Sequence, residues 1–441
     1  SIDFDYCLDT DGDGLVNSID LDSDNDGCPD AIEGAENVTN SMLTSANGTL
    51  RGGNGVDPAT PPASGTYNQS VLSNLGNTID AQGVPTIVNK NGVADTDTIQ
   101  GQGKGHSQDA LLNSCKNYWI GTTDTIWDLT NNWTAKEIPF TGQDVEFATN
   151  SNNDNKPAVN DLYVPSGGTK TIGSLINEST KALVIPAGTG LVVGDTVIGS
   201  SSMSEAGKLQ VQASSNDTIP NGTLIVTTGC TQPAIYGTVQ LNGKGGPDTG
   251  SWVDNIVGSP TYGATLTYSY HWQHFGIPVL AMVPSPALDG SYVRKYHEPW
   301  NGQLKDVNGS LVDSYYRKWE DLTNTSPMIA FEGYSITQDS LPAIYSMQGI
   351  LLFCDANLVM TREAAETAGT DALNKRYGLG QNIFGNSYTA AIKIDKMIFP
   401  ADNTIEQTVY LYNTGTFGQW TDGTIGDGVR TAGSYMSIPV L

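Results

Sequence analysis

Two acidic runs lie back to back near the start of the chain. They are Asp9-Thr10-Asp11-Gly12-Asp13-Gly14-Leu15-Val16-Asn17-Ser18-Ile19-Asp20 and Asp22-Ser23-Asp24-Asn25-Asp26-Gly27-Cys28-Pro29-Asp30-Ala31-Ile32-Glu33. Each offers oxygen ligands at loop positions 1, 3, 5, 9 and 12, with glycine at position 6. Calcium asks for several hard oxygens around one ion and a sharp turn among them, and this spacing provides both. The expected ligands of one ion are Asp9, Asp11, Asp13, the Leu15 carbonyl, Asn17 and Asp20. Those of the second are Asp22, Asp24, Asp26, the Cys28 carbonyl, Asp30 and Glu33, and Asp20 or Asp22 could cross over between ions. Residues 1–36 carry twelve Asp or Glu and no Lys or Arg. Like charge at that density repels itself open without a cation. The competing reading is a solvated acidic run.

Other chemistries find little footing. The chain has no GxSxG elbow and no HExxH, and its four histidines are His106, His271, His274 and His297. In a strand, His271 and His274 point to opposite faces, which argues against a shared metal. Glu298 and Glu332 sit beside aromatics, a weak hint of the paired carboxylates of glycoside hydrolysis. No catalytic residue and no organic cofactor is assigned, and the expectation is a protein that is not an enzyme. Gly101-Gln102-Gly103-Lys104-Gly105 lacks the GK[ST] ending of a phosphate loop. The cysteines, Cys7, Cys28, Cys115, Cys230 and Cys354, include no CxxC pair, which makes a thiolate zinc site improbable. Calcium loops imply an extracellular setting, where disulfides persist. Cys115 closes a Gly-, Asn- and Ser-rich flap, and a Cys28–Cys115 bridge would tie that flap to the second acidic loop.

The elements that would carry these groups are strands. Net charge is -26, from 21 Lys plus Arg against 47 Asp plus Glu. That balance excludes nucleic acid as a partner, because phosphate binding needs a basic face. Charged residues are only 15% and glycines number 50, so the chain is polar, turn-rich and read as all-β and multidomain. The best helical pattern, Thr361 to Arg376, is interrupted by Gly369. No apolar run of 18 residues is present, hence no membrane span is expected. Gly207-Lys208-Leu209, Gly222-Thr223-Leu224 and Gly237-Thr238-Val239 recur at 15 residues, and Leu175, Leu183 and Leu191 recur at 8. A fixed period of short strands predicts stacked coils, a β-solenoid over 116–245, with an ordinary sandwich as the alternative. Trp119, Trp127 and Trp133 lie in its opening stretch, either as a sugar-stacking face or, the favoured reading, as a cap on the core.

Only Leu21 separates the two acidic loops, which leaves no room for EF-hand helices. The layout resembles thrombospondin type-3 repeats, over about 30 residues, and implies a rigid calcium-dependent spacer over 1–36, followed by the flap at 37–115. The stretch from Tyr118 to Phe147 resembles the entry segment of β-solenoids in large bacterial surface proteins. Two later rounds lie within a β-sandwich region at 246–441, divided as 246–360 and 361–441. Gly333-Tyr334-Ser335-Ile336 with Ile344 to Phe353 carries the first round. Gly380-Gln381-Asn382-Ile383-Phe384, Val409 to Asn413 and Gly433 to Pro439 carry the second. Both are similar to the tandem β-sandwiches near the C-terminus of type IX secretion cargo, with Ser346-Met347 in place of that family's Pro-Gly step.

The resemblance implies a secreted adhesin at the outer cell surface. Its partners would be the secretion translocon and other surface proteins or glycans, with self-assembly as a further option. The alternative is an extracellular carbohydrate-binding protein or polysaccharide-acting enzyme. The resemblance also implies O-glycosylation at Asp-(Ser/Thr)-apolar triplets, here Thr98, Thr125, Thr196, Thr218 and Ser340. The chain opens at Ser1 in mid-pattern and halts at Leu441 before the second round's closing strand, and is expected to be part of a longer product.

Overall fold

A computed structural model describes residues 9–15, 23–25, 28, 115–134, 138–139, 141–149, 157–165, 167–216, 218–253, 263–298, 319–340, 343–362, 380–400, 404–413 and 434–439. The flap at 37–114, most of the helical pattern at 361–376 and most of the second acidic loop fall outside these residues. Strand dominates the described residues, and helix is limited there to short 3₁₀ turns. The all-β expectation holds at that level. The chain forms two compact units, one made of 1–184, 190–200 and 226–233, the other of 185–189, 201–225 and 234–441.

The first unit holds β1 (Lys116–Trp119), β2 (Asp144–Phe147), β3 (Leu162–Tyr163), β4 (Gly168–Ile172), β5 (Leu175–Ile176), β6 (Leu183–Ile185), β7 (Thr189–Val193) and β8 (Val197–Ile198), apart from Ile185 and Thr189. The β1–β2, β2–β5, β5–β8 and β3–β6 pairs are parallel. β1, β2, β5 and β8 run side by side in one sheet, β3 pairs with β6 in another, and β7 lies beside β4 in a third. Successive strands thus move from sheet to sheet. Leu175, Leu183 and Leu191, which recur at 8 residues, sit in three different sheets. True neighbours lie farther apart, as with Asp161 and Ala182, 21 residues distant and joined by a hydrogen bond of 2.9 Å. The inward residues of these short strands, Val145, Phe147, Leu162, Leu183, Leu191 and Val193, are all fully buried, while Tyr163 and Ile198 are exposed. Such burial is the main favourable term holding them. Corners are tight enough to demand glycine. A Cβ at Gly173 would stand 2.4 Å from both the Gly142 carbonyl and an Asp144 carboxylate oxygen.

The three tryptophans close this core. Trp119, Trp127 and Trp133 are buried, with Trp119 and Trp127 each edge-on to Trp133 at 5.0 and 5.1 Å. Two of the three buried indoles find a partner for the N–H, and that of Trp127 has none among the described residues. The Trp119 indole donates to the Asn160 carbonyl and the Trp133 indole to that of Trp127. These rings serve the core and are not a sugar-stacking face.

The second unit holds β9 (Leu209–Val211), β10 (Thr223–Val226, except Val226), β11 (Tyr236–Gly243), β12 (Gly246–Val253), β13 (Thr265–His271), β14 (Gln273–Phe275), β15 (Ala281–Met282), β16 (Ser291–Tyr296), β17 (Trp319–Asp321), β18 (Met328–Ile329), β19 (Tyr334–Gln338), β20 (Ala343–Ile350), β21 (Thr408–Asn413) and β22 (Ser434–Pro439). β11 lies parallel to β9 on one side and antiparallel to β20 on the other. The Gly222 to Leu224 stretch, at 15 residues from both β9 and β11, belongs to a separate sheet. A four-stranded antiparallel sheet runs β14-β19-β16-β17, and β12–β13, β15–β18 and β21–β22 form two-stranded pairs. The period of two separates the faces along β16, whereas β19 is buried on both. Phe275, Val293, Tyr334 and Ile336 face the core. His274, Tyr292, Arg294 and Tyr296 alternate with them and take the opposite face.

Candidate functional site

Residues 9–15 make a turn wrapped around their own carboxylates. Asp9 accepts the Gly12 N–H at 2.8 Å through one oxygen and the Gly14 N–H at 3.1 Å through the other. Asp11 accepts the Asp13 N–H at 3.0 Å, and Asp13 accepts the Leu15 N–H at 2.7 Å. Gly12 and Gly14 stand at φ +77° and +97°, the left-handed region that glycine enters without strain. The result draws one carboxylate oxygen each from Asp9, Asp11 and Asp13 within 4.8 Å of one another. Three anionic hard oxygens around a glycine turn fit calcium.

Of the remaining expected ligands, Leu15 is exposed, Asp24 and Cys28 are buried, and Asn17, Asp20, Asp22, Asp26, Asp30 and Glu33 lie outside the described residues. Cys28 and Cys115 are joined in a disulfide, 87 residues apart, and Cys230 and Cys354 are each disulfide-bonded as well.

Among the triplets, Thr196 and Ser340 sit beside exposed aspartates, with the Thr196 hydroxyl 3.3 Å from Asp195. Asp124, before the half-buried Thr125, is engaged with the Ile126 N–H and the Asn132 amide. Thr218 is exposed, and Thr98 lies outside the described residues. The two glutamates beside aromatics are tied into the scaffold. Glu298 is buried and accepts the Gly380 N–H, while Glu332 bridges Lys295 at 2.8 Å and the Tyr334 hydroxyl at 2.6 Å.

A second constellation, missed by sequence reasoning, lies on the outer face of the four-stranded sheet. Tyr270 at the end of β13 and Tyr292 on β16 both donate their hydroxyls to Asp339, at 2.7 and 3.2 Å, with ring centroids 5.6 Å apart. That shared carboxylate favours the protonated phenol and pushes the Tyr270 hydroxyl up to about 12. Two residues on from each tyrosine, the Arg294 guanidinium lies 4.2 Å from the centre of the Trp272 ring and is held by Asp321 at 2.6 Å. Farther along, His274 packs between Trp319 and Tyr412, with centroids at 5.2 and 4.1 Å. Burial there lowers the imidazole to about 4. The legible signal was alternation: Tyr270-x-Trp272 and Tyr292-x-Arg294-x-Tyr296 each put one face's residues two apart.

No family model matches this sequence, and no solved structure does. Over 336 residues the chain is 37% identical to the minor fimbrium subunit Mfa5 of Porphyromonas gingivalis. The match takes in 73% of this chain and 24% of that protein, so the chain spans about a quarter of the relative it resembles. Nearly three quarters of this chain is therefore similar to a stretch of a fimbrial subunit.

Proposed function

We propose that the chain is an extracellular structural and adhesive component of a bacterial cell surface, built to assemble with other surface proteins as part of a fimbria. The observation that carries this reading is the 37% identity over 336 residues to a fimbrial subunit. A strand-dominated scaffold, disulfides and the acidic turn at its start support the same reading. The short strands within 116–245 are coils of a β-solenoid, each burying its inward residues on the next. Export runs through a type IX system, on the strength of the sandwich motifs. Exposed threonine and serine of the Asp-(Ser/Thr)-apolar triplets carry O-glycans.

Calcium is the resident ion of residues 1–36. Asp9, Asp11 and Asp13 would hold one ion, with the Leu15 carbonyl, Asn17 and Asp20 completing it. Asp22, Asp24, Asp26, the Cys28 carbonyl, Asp30 and Glu33 would hold the second. The ion supplies the positive charge that lets so many carboxylates share a small volume. The role is mechanical: a spacer that stays stiff in extracellular calcium.

Surface labelling tests the central claim. Intact cells treated with an impermeant biotin reagent should yield the labelled chain, and deletion of its gene should reduce adhesion or fimbrial assembly. A chain found only inside unbroken cells would refute the surface role.

A further inference from the structure

We propose that the Tyr270–Tyr292–Asp339 end of the outer sheet face is a binding site for neutral carbohydrate, with a pyranose ring stacked on Tyr292. Tyr292 is 48% exposed, although Thr337 and Ser335, which share its face of the sheet, are buried. Its ring packs against Tyr270 on one side and keeps about half of its surface open to a ligand. Its hydroxyl and that of Tyr270 are anchored on Asp339, which fixes both rings before any ligand arrives. Fixed rings lose little freedom on binding, so affinity is not spent on ordering them.

The chemistry of the patch distinguishes a sugar from a protein partner. Protein interfaces deplete charged residues at their centre. Here Asp339, Arg294 and Asp321 alternate with Tyr270, Tyr292 and Trp272 in one stripe. A pyranose has both needs at once: an apolar C–H face for an aromatic ring, and a rim of hydroxyls for carboxylate and guanidinium. Asp339 accepts from two phenols, and an ionised carboxylate has about four lone-pair positions. It can still accept from a sugar hydroxyl. A net charge of -26 opposes sialylated or sulfated glycans, so the ligand class is neutral.

The inference rests on the proposed surface role and gives its adhesive part a ligand class. The test is a glycan array probed with the 441-residue chain in calcium-containing buffer, then calorimetric titration of the best-retained neutral oligosaccharide. Neutral glycans should be retained and acidic ones not. Tyr292→Ala should weaken binding about tenfold, near the upper end of what one aromatic contact is worth. Tyr292→Phe, which keeps the ring, should stay within about threefold of the parent on the same scale. Both variants should melt close to the parent temperature, since the side chain is half exposed. An empty array, or unchanged binding by Tyr292→Ala, overturns the site. Either result leaves the surface-labelling test of the structural role standing.

Discussion

At the residue scale, His274 ties pH to stability. Its imidazole is lowered to about 4 by burial between Trp319 and Tyr412, against about 6.5 when unfolded. The unfolded chain therefore takes up this proton first as pH falls. The stabilisation is complete above about 6.5 and drains away toward pH 4, by up to about 3 kcal/mol. A His274→Gln variant cannot charge. Denaturant titrations across that window should show the parent losing stability faster than the variant, and equal slopes would show that His274 carries no such linkage. Gly173 makes a steric counterpart. With Asp144 and the Gly142 carbonyl 2.4 Å from where a Cβ would go, Gly173→Ala must push the corner apart. It should cost about 1–3 kcal/mol, as overpacking does, in chemical unfolding.

At the element scale, the acidic turn and the strands were legible for different reasons. The turn at 9–15 follows from local chemistry, since each Asp meets an N–H two to five residues on. Short strands such as Leu183–Ile185 announced themselves by their apolar content. Their sheet partners did not. Leu162 meets Leu183 and Leu175 meets Val197, pairings that no local period records, because corner loops of unequal length intervene. The Tyr270–Asp339 bond spans 69 residues and was hidden for the same reason. For the calcium loops the measurement is limited proteolysis. Chelation should speed cleavage within residues 1–36 while leaving fragments of 116–245 intact, and elemental analysis should find two calcium ions per chain. Unchanged cleavage together with no bound metal would refute the calcium reading.

At the scale of the whole molecule, covalent links and modifications set the observable mass and stability. Non-reducing peptide mapping should recover Cys28 joined to Cys115. A cross-link that closes a loop of 87 residues is worth about 4–5 kcal/mol in the chain-entropy description. Reduction should therefore lower the melting temperature of the first unit's transition, and an unchanged transition would contradict this. Intact mass of the secreted form should exceed that of the bare polypeptide, with the excess mapping to Thr98, Thr125, Thr196, Thr218 or Ser340. Equality of the two masses would remove the glycosylation proposal.

The Cys28–Cys115 bridge also bears on the proposed fimbrial role. Cys115 immediately precedes β1, and Cys28 stands 87 residues before it, within the second acidic loop. Tension applied from the N-terminal side would pass from Cys28 through sulfur directly into Lys116–Trp119 and bypass the residues between them. Broken, that segment would enter the line of force and add about 300 Å of contour. In the proposed fimbrial setting the chain would behave as a short tether with the bond closed. With it open it would pay out like a shock cord, and reducing conditions would change its compliance before they changed its attachment.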